Sequence, residues 1–401
     1  MEVFGGASKN TEYDPARQWL RNYVECPWFE DPEFASKFQA LLREHDINYV
    51  IPAWDPLVEM FASWDVPGIT FITPRAEIAS LCMTKTATYE RLRSLVPVPA
   101  VYGETPVLPA FAKPDRGSGS RNIRKVETTE DYALARAQGL LLTEYLPGDE
   151  YTVDCLSDPN GALLVASVRQ RAVLGQGVAI GTIGHPGHLL EAHCCRIAEE
   201  LRIEGPWFAQ FKADAAGTLK LIEINARIGG STGHTRLNGV NIPLMSLFAF
   251  SGDTVRVPHL RTGVRLSRCL SFYCEPLEFN AVLWDLDDTL IRKDGKPDPE
   301  VVAKLYDCAN RGKRQFLVSK NPDPVAALQA ANIPDLFERV LPTSHKPDAI
   351  RGLLRDHALT PEECLMVNDS YQETFEIQAT FPGMMTITPD AVEALGRERL
   401  A

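Results

Sequence analysis

The run Ala281-Val282-Leu283-Trp284-Asp285-Leu286-Asp287-Asp288-Thr289-Leu290 constrains this chain more tightly than any other stretch. Its apolar half reads as a buried strand, and the strand ends abruptly in three carboxylates. Crowded carboxylates repel and raise one another's pKa, so a cation is their natural neutraliser, and the arrangement points to Mg²⁺ and phosphoryl chemistry. An acidic turn after a core strand is the plainer alternative. Downstream, Gln315-Phe316-Leu317-Val318-Ser319 is a second apolar strand, ending in a hydroxyl. Lys346 stands in His345-Lys346-Pro347, and Leu365-Met366-Val367-Asn368-Asp369 is a third strand ending in a carboxylate.

These segments, in this order, resemble the four motifs of the haloacid dehalogenase (HAD) superfamily. The resemblance implies that Asp285 is the nucleophile that takes a phosphoryl group and Asp287 the general acid/base. It also implies that Ser319 donates a hydrogen bond to a phosphoryl oxygen, that Lys346 neutralises nucleophile and phosphate, and that Asp285, Asp287 and Asp369 hold the metal. Two positions depart from the pattern: Asn368 replaces the usual Gly, and Glu373 stands where a second Asp is often found. The longer glutamate arm can reach a metal through a water, which makes Asp369 the stronger ligand candidate. Val-Ser-Lys-Asn at 318–321 looks like the branch containing capless phosphatases and the glyceryl-phosphate-processing proteins of polyketide pathways. Asp285 and Ser319 are 34 positions apart and Ser319 and Lys346 are 27 apart, with no room for a large cap.

A chain of 401 residues exceeds one ordinary core and predicts two or three domains. A formal charge of -12 argues against a general nucleic-acid binder, because phosphate contacts need a basic face. The sequence has no apolar run of about 18 residues and no signal-type N-terminus, so neither membrane insertion nor export is expected. Nine cysteines without Cys-x-x-Cys spacing suit reduced thiols in a cytoplasm.

Near the N-terminus, a helix over Glu33–His45 and short strands at Ile47–Pro52 and Ile69–Thr73 fit a small α/β lobe. Gly5-Gly6 after Val3-Phe4 offers a strand-to-glycine turn too short for a dinucleotide fingerprint. Ile78–Leu95 reads as one amphipathic helix. From Ala110 the pattern turns to strands, interrupted by helices such as Leu189–Leu201. The alternation in Val255–Tyr273 can close a sheet, and a boundary falls near Glu275–Asn280.

A second chemical centre lies in this middle part. Phe111-Ala112-Lys113-Pro114 leads into Asp115-Arg116-Gly117-Ser118-Gly119-Ser120-Arg121, where glycines let backbone N–H groups approach phosphate while Lys113 and Arg121 supply charge. A plain surface loop is the alternative. Glu144–Asp154 joins a strand end, a turn and an alternating strand. In Leu221-Ile222-Glu223-Ile224-Asn225-Ala226-Arg227, period two puts Glu223, Asn225 and Arg227 on one face and Ile222, Ile224 and Ala226 on the other. That polar face can hold Mg²⁺ and a triphosphate, and Gln210, on the preceding strand Trp207–Ala213, can add an oxygen across the hairpin.

With these segments in order, residues 1–278 resemble an ATP-grasp enzyme, similar to the synthetase half of carbamoyl phosphate synthetase and to carboxylate–amine ligases. The resemblance implies that Lys85 and Lys113 contact ATP phosphates and that the loop Gly117, Ser118, Gly119, Ser120 folds over them. Glu144 and the Leu146 backbone would meet adenine, with Glu150 on the ribose hydroxyls. Gln210, Glu223 and Asn225 carry the metal pattern, with Gln210 replacing the acid many ligases use, and Arg227 would stabilise phosphate or an acyl phosphate. Arg169, Arg171 and Arg236 are candidates for an anionic substrate, each equally readable as a salt-bridged or surface residue.

The expected architecture is α/β: a pre-ATP-grasp lobe over 1–78, an ATP-grasp region over 79–278 and a capless HAD-like Rossmannoid domain over 279–401. The expected function is that of a bifunctional cytoplasmic enzyme, an ADP-forming ligase joined to a phosphatase, suited to specialised-metabolite biosynthesis. Its cofactors are ATP and Mg²⁺, with Mn²⁺ as a substitute. Its partners are small carboxylate and amine substrates and a carrier-bound or phosphorylated intermediate, with no nucleic acid, no membrane, and room for a homo-oligomer. Two alternatives stand beside it: carbamoyl-phosphate-type activation of a small acid, and a degenerate regulatory or phosphoryl-transfer HAD module.

Overall fold

The computed structural model describes all residues except 9–10, 12–13, 15, 118–121, 176, 258–262, 270–276 and 398–401. The chain forms two compact units, Phe29–Leu270 and a second made of Met1–Trp28 with Ser271–Ala401. This grouping separates Met1–Trp28 from residues 29–78, which the sequence reading took as one lobe.

Met1–Trp28 contributes a parallel pair, β1 (Phe4–Ala7) and β2 (Asn22–Glu25), with helix α1 (Ala16–Trp19) between them. Gly5 and Gly6 lie inside β1 rather than in a turn. A Cβ on Gly5 would meet the end of the Leu20 side chain and one on Gly6 the Cys26 sulfur, so those side chains pack directly against the glycine backbone.

The Phe29–Leu270 unit opens with α2 (Phe34–Glu44), β3 (Tyr49–Val50), α3 (Asp55–Phe61) and β4 (Thr70–Phe71), with β3 and β4 parallel. Phe34, Phe38, Phe61, Trp64 and Phe71 stack into an aromatic cluster that holds these elements together. The single helix expected over Ile78–Leu95 is two helices, α4 (Ala76–Met83) and α5 (Lys85–Leu92). Thr84 breaks it with extended backbone angles, φ -117 and ψ 108, because its backbone bridges to Arg116. Apolar periodicity does not report such a break.

Strands β5 (Ala110–Lys113), β6 (Arg124–Val126) and β7 (Leu141–Glu144) form a three-stranded antiparallel sheet backed by α6 (Thr129–Ala137). Strands β8 (Glu150–Ser157), β9 (Leu163–Gly175), β10 (Val178–Gly184), β11 (Gly205–Ala213), β12 (Leu219–Asn225) and β13 (Arg265–Ser267) form an antiparallel sheet in the order β12-β11-β8-β9-β10-β13. One face of that sheet carries Val153, Cys155, Trp207, Ala209 and Phe211, packed with residues of α7 (His188–Leu201) such as Leu190 and Ile197. Side chains alternate along a strand, so Phe208, Gln210 and Lys212 must point to the opposite face. Helices α8 (Gly233–Leu237) and α9 (Ile242–Phe250) follow β12.

Ser271–Ala401 alternates strand and helix: β14 (Ala281–Trp284), α10 (Pro299–Asn310), β15 (Arg314–Ser319), α11 (Pro324–Ala330), β16 (Arg339–Pro342), α12 (Lys346–Asp356), β17 (Cys364–Val367), α13 (Tyr371–Thr380) and β18 (Met385–Ile387). All strand pairs are parallel, in the order β16-β15-β14-β17-β18. Val282, Trp284, Leu317, Leu365 and Val367 enter one core, while Ala281, Leu283, Phe316, Val318, Cys364 and Met366 enter another. Both faces are therefore buried, which explains why these strands are apolar runs without alternation.

Among the described residues no helix is long and apolar enough to cross a membrane, and the described cysteines are free thiols.

Candidate active sites

The three-stranded and six-stranded sheets of the Phe29–Leu270 unit enclose a cleft of about 930 Å³. Lys85, Lys113, Gly117, Glu144, Leu146, Glu150, Gln210, Glu223 and Arg227 all line it. Strand alternation delivers them: Phe208, Gln210 and Lys212 face the cleft because their neighbours fill the core, and Arg169 and Arg171 do so beside Val168. Arg236 does not line the cleft, and Ser118, Gly119, Ser120 and Arg121 lie outside the described residues.

Lys85 Nζ donates to the Gly117 carbonyl at 2.9 Å, and Lys113 Nζ donates to the Tyr89 hydroxyl at 2.7 Å. Burial pulls the Lys113 ammonium down from its ordinary value to about 8, although the charge of Glu223 works against the shift. The β11–β12 register places Gln210 directly opposite Glu223. Neither side chain makes a hydrogen bond or ion pair among the described residues, and the buried Asn225 Nδ2 has no partner there. A cross-strand set of uncommitted oxygen donors beside two lysines fits Mg²⁺ with a polyphosphate.

One sequence expectation fails in β12. Period two puts Ile222 with Ile224 and Ala226 on the core face, but Leu221 takes the core position and Ile222 lines the cleft. The register steps from Gln210↔Glu223 to Phe211↔Leu221, so Ile222 is an extra residue that breaks the two-residue period. Its carbonyl accepts from Tyr89 Oη at 2.6 Å, which ties α5 to β12.

Glu144 and Glu150 are engaged. Glu144 contacts Lys220 Nζ at 2.6 Å and accepts from the Ala100 amide at 3.2 Å. Glu150 pairs with Arg171 at 3.0 Å and with Lys212 at 3.4 Å. Arg169 makes a two-point contact with the buried Asp154, at 2.9 and 3.1 Å, and the Thr235 hydroxyl donates to that same carboxylate at 2.8 Å. Arg169 and Arg171 thus serve salt bridges as well as the cleft wall. Arg227 Nε donates to Asp55 Oδ1 at 2.8 Å, its Nη1 to the Ile228 carbonyl at 3.1 Å, and its guanidinium lies over the Phe208 ring at 5.3 Å. Sequence reading missed Tyr89, Lys220 and Asp55, which sit on elements whose patterns announce only helix or strand.

In the other unit, Asp285 follows β14, Ser319 ends β15, Lys346 opens α12 and Asp369 follows β17. Strand order reverses at β14, and a crevice beyond the carboxyl ends of such strands is where open α/β sheets bind ligands. Lys346 Nζ lies 2.7 Å from Asp285 and 2.5 Å from Glu373, and Lys320 lies 2.8 Å from Glu373. Asn321 Nδ2 donates to both Asp287 oxygens at 3.2 and 3.4 Å, and the Asn321 backbone N–H donates to Ser319 Oγ at 3.0 Å. Burial pushes Asp285 up to about 6 despite Lys346. Burial would also raise Glu373, but hydrogen bonds from Lys320, Lys346 and Asn368 hold it down at about 2.

Among the described residues, no three His, Cys, Asp or Glu side chains converge in a metal-holding group. Asp285 is turned onto Lys346, Asp287 onto Asn321, and Asp369 is exposed.

A family model described as ATP-grasp in the biosynthetic pathway with Ter operon matches residues 136–271. No curated protein matches the sequence. Among solved structures, the biotin carboxylase domain of Hydrogenobacter thermophilus 2-oxoglutarate carboxylase, solved as a dimer with MgADP, ADP and bicarbonate, is similar with a TM-score of 0.55 at 19% identity, over 66% of this chain and 68% of that one. Campylobacter jejuni biotin carboxylase with an ATP analogue gives 0.56 at 15% identity, over 66% and 69%. Rhizobium etli pyruvate carboxylase gives 0.56 at 16% identity, and there the match spans only 28% of that longer chain. The nucleotides in these neighbours are consistent with ATP and Mg²⁺ as cofactors. The chain therefore contains a mixed α/β ATP-grasp fold, with the matched family segment in its Phe29–Leu270 unit.

Proposed function

We propose that this protein is an ATP-dependent ligase that activates a carboxylate as an acyl phosphate for attack by an amine. The observation that carries this reading is the placement of Lys85, Lys113, Gln210 and Glu223 around one cleft between two sheets. Lys85 and Lys113 would hold the triphosphate, and Gln210, Glu223 and Asn225 would hold Mg²⁺, which supplies charge neutralisation when bound. A carboxylate oxygen attacks the γ-phosphorus and ADP leaves. The amine nitrogen then attacks the acyl carbon, and phosphate departs as the amine loses a proton. Arg227 meets the negative charge at the acyl phosphate. The description of the matched family as biosynthetic supports a place in specialised metabolism.

For Ser271–Ala401 the same proposal extends to a capless phosphatase. It is supported by the Asp285–Lys346 contact at the topological reversal and by the HAD-like order of its segments. The Asp285 carboxylate would attack phosphorus while Asp287 protonates the leaving oxygen. Asp287 would then take a proton from the water that releases phosphate. An exposed Asp369 with no ion pair among the described residues and a Glu373 committed to Lys320 and Lys346 favour the second reading, a regulatory or phosphoryl-transfer module.

The test is turnover of Mg-ATP by the full chain against a panel of carboxylic acids, with hydroxylamine to trap acyl phosphate as hydroxamate, alongside phosphate release from generic esters. Acid-dependent ADP and hydroxamate formation is expected; no ADP with any acid overturns the ligase reading. Inactivity towards every ester overturns the phosphatase reading alone.

A further inference from the structure

We infer that Asp55, at the start of α3, is a positioning residue that sets Arg227 for the substrate anion; this rests on the ligase reading above. Asp55 is 2% exposed, and its Oδ1 accepts from Arg227 Nε at 2.8 Å. The chain links the two residues only through tertiary structure, 172 positions apart. Its neighbours Trp54 and Pro56 both line the cleft, so α3 enters the wall of the site with Asp55 on the inner side of that wall.

Three contacts fix the guanidinium. Asp55 takes Nε, the Ile228 carbonyl takes Nη1, and the Phe208 ring covers one face. Nη2 is left as the nitrogen without a hydrogen bond among the described residues. An anion in the cleft therefore meets Arg227 through Nη2, in a direction that Asp55 dictates. The other Asp55 oxygen, Oδ2, is buried and has no hydrogen-bond partner among the described residues, so the carboxylate is committed to Arg227 at the cost of one unsatisfied atom. Asp154 differs in that Arg169 contacts both of its oxygens.

The experiment follows hydroxamate and ADP formation by the full chain with the best acid of the panel. Asp55→Asn keeps the shape and removes the charge. Asp55→Glu keeps the charge, and with it the pairing that protects the fold, but shifts the carboxylate by one methylene. Displacing a positioned group by about 1 Å can cost about 100-fold in rate, so kcat should fall about 10- to 100-fold in both variants while KM for ATP stays within about threefold. In an Arg227→Lys background, Asp55→Asn should add little further loss. Wild-type kcat in folded Asp55→Glu, or a loss that is undiminished in the Arg227→Lys background, overturns the inference and leaves the ligase reading standing. If the wild-type chain forms neither ADP nor hydroxamate with any acid, the ligase reading falls first and the inference with it.

Discussion

Lys113 Nζ donates to the Tyr89 hydroxyl at 2.7 Å, and that hydroxyl donates in turn to the Ile222 carbonyl at 2.6 Å. A cation of strand β5 is thereby coupled to the bulge that turns Ile222 into the cleft. Glu223, Lys85, Asp115 and Glu150 set the surrounding field.

The first prediction is a pH dependence. Lys113 sits at about 8, below its ordinary 10.5, so it loses its proton as pH rises through 8. Triphosphate favours the charged form. Mg-ATP affinity should therefore weaken by up to about tenfold between pH 7 and 9, with proton uptake on binding in that range. For stability the sign is opposite: between pH 8 and 10.5 the unfolded chain binds the extra proton, so this group's contribution rises with pH. Calorimetry in two buffers of different ionisation enthalpy checks the uptake, and a flat affinity profile refutes it.

Tyr89→Phe removes the hydroxyl and leaves a buried lysine and a carbonyl short of a partner. A loss of about 1–3 kcal/mol in unfolding free energy is expected, with weaker ATP binding. Denaturant titration measures the first, and unchanged stability would mean that water replaces the hydroxyl.

Glu223→Ala should abolish ADP formation while ester hydrolysis by the other unit persists. Gln210→Glu should retain turnover, because a carboxylate oxygen can replace an amide oxygen as a hard-cation donor. Normal ADP release by Glu223→Ala would make that residue an ordinary strand position.

Asp285→Asn and Asp287→Asn should fail differently. The first removes the proposed nucleophile and should give neither phosphoenzyme nor phosphate. The second lacks the proposed base for hydrolysis and should accumulate phosphoenzyme, visible by intact mass after incubation with Mg²⁺ and a phosphate ester. Undiminished phosphatase activity in Asp285→Asn refutes the assignment.

Arg169→Met tests whether that arginine acts for the fold or for the substrate. Removing it strands the buried Asp154, and a destabilisation of about 3–5 kcal/mol is expected. A folded variant of wild-type stability with a raised acid KM would instead mark Arg169 as a substrate ligand.

Strand positions in both units could be read from sequence because burial writes itself into residue type. Ala281–Trp284 is an apolar run since both of its faces are covered, and Trp207–Ala213 alternates since one face is core and the other cleft. Lys85, Lys113, Glu144, Glu150, Gln210, Glu223 and Arg227, proposed from motif order, meet in one cleft. The break at Thr84 and the extra residue at Ile222 were not readable, because each is forced by a contact distant in sequence: Arg116 for the first, the β11 register for the second.

The sequence by itself determined which segments are strands and which of their ends carry charge, since those depend on local periodicity and side-chain chemistry. Tertiary structure alone decided which charges are free and which are spent. Asp55 lies 172 positions from Arg227, and Glu144 lies 76 from Lys220; no local pattern records an ion pair that exists only once the sheets have assembled. Folding leaves Glu223 without an ion pair among the described residues and binds Asp285 to Lys346, because a buried charge must take whatever partner the fold brings within reach.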